Sequence, residues 1–210
     1  MKHLIIIGAG GYGREMLVIA RGAVGYGVDF DVKGFLDARA DALDGFVGYP
    51  PVIGAPKTYE PEADDVFITA LGSIVSRRTC VGLLTARGGK FIPLIHRSAT
   101  LGLNVVVGEG TLVAPNVFVS ADVRIGRHAA VFHGTSVGHD SVLGDFSHVY
   151  AQCSVGGGVR VGDGAVVYPG AVVVPRRMIG EDAVVGAGST VVLNVKPGET
   201  VFGNPARPVR

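Results

Sequence analysis

VAPNVFVSADVRIGRHAAVFHGTSVGHDSVLGDFSHV, residues 113–149, carries an aliphatic residue at every sixth position: Val113, Val119, Ile125, Val131, Val137, Leu143 and Val149. The register extends both ways. Leu101 and Val107 precede it; Val155, Val161, Val167, Val173, Ile179, Val185 and Val191 follow. Sixteen matches, each Leu, Ile or Val, run without a slip. Four residues after the aliphatic a small residue recurs, as at Thr111, Ala129, Thr135, Ser141, Ser147, Cys153, Ala165, Ala171, Ala183 and Ser189. The residue directly after the aliphatic is often glycine.

Such a unit reads as one face of a triangular parallel β-helix, three units to a coil. The aliphatic points into the prism, and the small residue takes the other inward position near each corner. The recurrent glycines are expected to supply the backbone angles of the corners. Cys153 falls in the small slot, so it is expected to face the interior and be unavailable as a nucleophile.

Upstream the period changes. HLIII (3–7) reads as a buried strand, followed by the glycine turn GAGGYG (8–13). Arg14–Val24 reads as a helix with Met16, Leu17, Ile19, Ala20, Ala23 and Val24 on its apolar face. Strands follow at 32–37 and 65–71, a helix at 74–86, and a closing strand at 89–95. Alternating strands and helices imply a small parallel α/β sheet. Residues 38–64, rich in Asp, Gly and Pro, are expected to be mostly loop. The chain thus divides into a Rossmann-like α/β domain at 1–93 and a β-helix at 94–210.

Composition narrows the function classes. Of 210 residues, 33 are glycine and 35 valine, and the net charge is +1, which gives no electrostatic case for nucleic acid or an anionic membrane surface. No apolar run approaches the roughly 18 residues of a membrane helix, so no membrane insertion is expected. The start lacks the apolar core and cleavage site of a signal peptide. Two distant cysteines, Cys80 and Cys153, fit a reduced cytoplasmic setting and offer no zinc spacing.

GAGGYGRE, FLDARAD (35–41), ITALGSIVSRR (68–78), SVGHDSVLGDFSHV (136–149) and FGNPARPVR (202–210) together resemble the bacterial sugar O-/N-acyltransferases of the sialic acid O-acyltransferase type. The resemblance implies that the helix coils left-handed and that the chain works as a homotrimer. The activity it implies is acetyl-CoA-dependent N-acetylation of a UDP-linked amino sugar; the histidine spacings of six and nine offer no converging metal ligand set, and the inward slot of Cys153 leads us to expect direct transfer without an acyl-enzyme. His139 would be the general base, since imidazole titrates near neutrality. Asp140, where relatives often carry Glu, would hold its tautomer. His148 would sit by the acetyl-CoA carbonyl, and Gly157, Pro169, Gly186 and Ala187 would line the CoA groove. Gly10, Gly11 and Tyr12 would meet substrate phosphate or sugar at a helix N-terminus. Asp37 would accept from uracil or ribose, and Gly72 would contact substrate. His133 is either a pocket residue or a surface one. Arg176, Arg177, Arg207 and Arg210 are either partners of CoA phosphates or solvated charges. Three other readings remain: a sugar O-acetyltransferase, a zinc enzyme of the γ-carbonic anhydrase kind, and a nucleotide-sugar-binding scaffold.

Overall fold

The computed structural model describes residues 1–209, so Arg210 and its expected CoA contact lie outside the described residues. The chain separates into two compact units, at Met1–Leu94 and Ile95–Arg210.

The first unit is a five-stranded parallel sheet with helices. Its elements are β1 (Lys2–Ile7), α1 (Gly11–Arg21), β2 (Phe30–Leu36), β3 (Val52–Gly54), β4 (Asp65–Thr69), α2 (Ile74–Thr85) and β5 (Lys90–Phe91), with strand order β3-β2-β1-β4-β5. The apolar run Leu4–Ile7 is fully buried because β1 is the central strand, flanked by β2 and β4. Helix α1 starts three residues earlier than its apolar pattern suggests. Met16, Leu17, Ile19 and Ala20 are buried, whereas Val24, beyond the helix end, is 65% exposed and leaves the expected apolar face. In α2, the Ser73 hydroxyl accepts from the Ser76 N–H at 3.3 Å and caps the start. The Asp-, Gly- and Pro-rich stretch is not all loop, since it contributes β3. The strand expected at 89–95 divides into β5 and a short strand at Leu94–Ile95 that opens the β-helix.

The second unit is a parallel β-helix. Partner strands are 18 residues apart, as in Phe118↔Ser136, Arg124↔Val142 and Ala130↔His148, until the last coil, where Val184↔Thr200 are 16 apart. The first face runs from Leu94–Ile95 through Leu112–Val113, Ala130–Val131, His148–Val149, Val166–Val167 and Val184–Val185 to Thr200–Phe202. The second carries Thr100–Leu101 through Thr190–Val191, and the third Val106–Val107 through Met178–Ile179. The period-six aliphatics are at most 2% exposed from Val113 to Val191; Leu101 and Val107, in the first coil, are half-buried. The ten small residues of the second slot are likewise at most 2% exposed, Cys153 among them. The tail returns as an antiparallel pair, Thr200–Phe202 with Arg207–Pro208.

The recurrent glycines do a different job from the one expected. A β-carbon on Gly126 would lie 2.6–2.7 Å from the next coil, and one on Gly138 2.5 Å from Gly157 N. These positions are glycine because adjacent coils approach closely. The left-handed backbone angle falls two residues later and is taken by residues such as Asn116, Asp122, Asp140, Gly158 and Arg176, with φ of 57°, 60°, 60°, 70° and 62°. Asn and Asp tolerate this region better than other side chains.

Candidate active site

The corner between the second and third faces carries His139 and Asp140. Asp140 holds the left-handed corner position, which turns its carboxylate onto the preceding ring: His139 Nδ1 lies 2.7 Å from Asp140 Oδ2. A carboxylate only accepts, so Nδ1 is the donor in this contact, and in a neutral imidazole that arrangement places the lone pair on Nε2. Both side chains are about two-thirds exposed. One coil on, Gly157 lies beneath the imidazole, and a β-carbon there would be 2.7 Å from Nε2. The backbone is stitched across the same step, with Gly158 N–H donating to His139 O at 2.7 Å.

His148 stands elsewhere, on the outer side of the first face. It is 2% exposed, and its ring is edge-on to Phe132 and Tyr150, each at 5.6 Å. Phe132, Tyr150 and Tyr168 form a parallel stack along that edge, with centroids 4.8 and 5.3 Å apart. Sequence reading missed this ladder, although the residue after the aliphatic is aromatic in three successive coils. Pro169 and Ala187 are exposed corner residues beside it, in line with the exposed His133. Gly186 accommodates the Phe202 ring, which occupies the place of its missing β-carbon. Within the chain, then, His139, Asp140 and Gly157 share one edge, whereas His148, Pro169, Gly186 and Ala187 lie at another.

Cys153 Sγ donates to Tyr168 O at 3.2 Å, and burial pushes its thiol pKa up. Arg207 is exposed and its guanidinium donates to Ala206 O.

In the α/β unit the expected substrate residues gather at the carboxyl ends of β1, β2 and β4, where open parallel sheets bind ligands at a switch in strand order. The four glycines of the turn divide by role. Gly8 has φ +104°, and a β-carbon on Gly13 would strike Gly8 O, so both are needed by the fold. Gly10 and Gly11 have no such reason: around Gly10 there is open space, and near Gly11 only the Arg14 guanidinium at 4.0 Å. Gly72 is equally open. No side chain caps α1, whose first turn contains Tyr12. Asp37 is committed to the turn, since Ala9 N–H donates to its Oδ2 at 2.9 Å and Arg39 N–H to its Oδ1 at 3.0 Å. Burial raises its pKa, but these bonds and the Arg39 charge outweigh that and hold the carboxyl below its ordinary range. Asp37 also borders a cavity of about 370 Å³ lined by Gly8, Leu36, Leu71, Thr79, Cys80 and Leu83 among others. Among the described residues no cluster of His, Cys, Asp or Glu is arranged to hold a metal ion, and no helix is long and apolar enough to cross a membrane.

Known proteins share this fold. Residues 3–84 match the PglD N-terminal domain. The chain is 32% identical over 117 residues to UDP-N-acetylbacillosamine N-acetyltransferase of Bacillus subtilis, a match spanning about half of each, 54% of this chain and 51% of the relative. Across all of this chain and 98% of the other, it superposes with TM-score 0.88 and 29% identity on a histidine-to-asparagine variant of perosamine N-acetyltransferase from Caulobacter crescentus, in complex with CoA and GDP-perosamine. WeeI from Acinetobacter baumannii matches with TM-score 0.86 and 26% identity over the whole of both chains. Its first unit is of the PglD N-terminal type, and over its whole length the chain is similar in fold to these bacterial sugar acetyltransferases.

Proposed function

We propose that the protein is an acetyl-CoA-dependent N-acetyltransferase acting on a UDP-linked amino sugar. The observation that carries this reading is the His139–Asp140 pair on an open corner, with Nε2 directed over Gly157. The acceptor amine attacks the thioester carbonyl, Nε2 takes the proton from nitrogen, and the tetrahedral adduct collapses with CoA thiolate as leaving group. The proton on Nε2 then returns to that sulfur. No acyl-enzyme is involved, because Cys153 is sealed inside the prism.

The α/β unit holds the nucleotide. Gly10 and Gly11 leave room for phosphate oxygens at the uncapped start of α1, with Tyr12 at the sugar. The base enters the cavity beside Asp37, whose remaining lone pairs accept from base or ribose, and Gly72, next in sequence to the lining residue Leu71, contacts the substrate. Relatives named for UDP- and GDP-linked amino sugars make a nucleotide-linked amine the favoured acceptor.

The two edges of the β-helix require more than one copy. An edge carrying His139 and Gly157, set against a neighbour's edge carrying His148, Pro169, Gly186 and Ala187, encloses a groove for CoA. A head-to-tail contact of this kind closes into a ring, here a homotrimer. His148 positions the thioester from beneath the aromatic stack.

The test is a panel of nucleotide-linked amino and hydroxy sugars with acetyl-CoA, reading CoA release and the mass of the product. N-acetylated sugar from a UDP-linked amine is expected. An O-acetylated product instead moves the reading to the hydroxyl-acceptor enzymes, and no transfer to any acceptor contradicts it.

A further inference from the structure

Along the corner that carries His139, the inward slot is filled coil after coil by Val123, Ser141, Val159 and Val195, each at most 4% exposed. The coil between the last two places Arg177 there. An aliphatic residue satisfies the fold at this point, as its stack-mates demonstrate. Arg177 is only half-buried, and its Nε is buried without a hydrogen-bond partner. Leaving a buried donor unsatisfied is unfavourable, so the fold alone gives no reason to keep arginine here.

Its neighbours share its sign. Arg176 takes the left-handed corner position, φ 62°, and its stem folds back along Gly158, with Cγ 3.5 Å from where a β-carbon on that glycine would sit. Arg160, exposed, is tied to the same step by its N–H donating to Arg177 O at 2.9 Å. Among the described residues none of these three arginines is in an ion pair. The consecutive glycines at 157 and 158 therefore accept the His139 ring from the coil before and the Arg176 stem from the coil after. The guanidinium cluster and His139 share one edge, two coils apart, or about 10 Å at the usual strand spacing.

We infer that Arg177 and Arg176, assisted by Arg160, form the site for the phosphate groups of the acyl donor and set its preference for CoA over phosphate-free thioesters. The inference rests on the reading of the chain as a CoA-dependent acyltransferase. Guanidinium forks match phosphate geometry and keep their charge at any working pH. A donor whose thioester lies at His139 and whose pantetheine arm follows the edge toward the C-terminal coils delivers its diphosphate and ribose phosphate to these side chains. The sugar nucleotide also carries a diphosphate, but Gly10 and Gly11 already offer that one a site in the other unit.

The double variant Arg176→Gly/Arg177→Val tests this directly. It copies the Gly158–Val159 pair of the preceding coil, so both substituents suit their backbone positions, and an unchanged melting temperature establishes that it folds. Calorimetric titration with CoA, pantetheine and the nucleotide-sugar is then compared between wild type and variant. The expected result is about tenfold or greater weakening for CoA, with pantetheine and nucleotide-sugar unchanged. Binding of CoA within about twofold of wild type, or a loss confined to the nucleotide-sugar, overturns the inference. If wild type itself binds no CoA, the functional reading beneath it fails instead.

Discussion

The His139 ring lies over Gly157, one coil further along the same edge, with Nε2 2.7 Å from the point a β-carbon on that glycine would occupy. The pairing explains why this glycine matters without its touching any reacting atom. Gly157 lacks the left-handed φ of the adjacent Gly158, so alanine suits its backbone and only the imidazole is displaced. Gly157→Ala is expected to lower kcat about tenfold or more while leaving the melting temperature within a few degrees. Steady-state kinetics and calorimetry check both halves, and wild-type kcat in a folded Gly157→Ala contradicts the placement.

The glycine turn separates in the same way. Gly10 and Gly11 have negative or extended backbone and open surroundings, whereas Gly13 abuts Gly8 O. Gly10→Ala and Gly11→Ala are expected to keep stability and raise KM for the nucleotide-sugar. Gly13→Ala is expected to lower the melting temperature, because the α1–β1 approach has no room for a methyl group. Equal stability loss in all three variants contradicts this division.

Acid sensitivity follows from the α/β unit. Asp65, 3% exposed, accepts from Tyr59 Oη at 2.7 Å, Lys33 Nζ at 2.9 Å and Glu62 N–H at 2.9 Å. Burial raises its pKa, but these bonds outweigh it and hold the carboxyl below its ordinary range. Its stabilisation is therefore complete above the unfolded value, about 3.9, and is lost as pH falls through the lower folded value. Lys33 is shifted upward: its burial lowers the pKa, and its bonds to Glu62, Asp65 and Tyr59 overcome that. Its contribution stands below about pH 10.4 and fades only in stronger alkali. Melting temperature is expected to hold from pH 9 to about 5 and to drop below about 4, with a shallower drop for Asp65→Asn. An identical acid limb in that variant contradicts the assignment.

Direct transfer is testable at Cys153. The slot it occupies takes Ala at positions 165 and 171, so Cys153→Ala fits with little rearrangement. It is expected to retain wild-type kcat, and intact-protein mass after incubation with acetyl-CoA is expected to show no acetylated species. An acetyl adduct lost in Cys153→Ala contradicts the mechanism.

The β-helix was nearly complete in the sequence because each coil repeats one short instruction: a buried aliphatic and a small partner. What periodicity did not carry was the reason for the glycines, since close approach of coils is a relation between residues 18 apart. The alternation of strands and helices was legible too, but β3 was not, because its three residues lie in a Gly- and Pro-rich stretch. His139 and Asp140 were legible through their motif. The burial of His148 under Phe132 and Tyr150, the commitment of Asp37 to Ala9 and the misfit of Arg177 were not, because each depends on what surrounds the side chain.

The most direct measurement is single-turnover acetyl transfer by His139→Ala with saturating acetyl-CoA and a UDP-linked amino sugar. His139 is 69% exposed in its side chain, so the variant is expected to fold and to bind CoA like wild type. With a general base removed, transfer is expected to slow by about 10²- to 10⁴-fold. Transfer at a rate within a few-fold of wild type, in a variant that still folds and binds CoA, would contradict the assignment of His139 as the base.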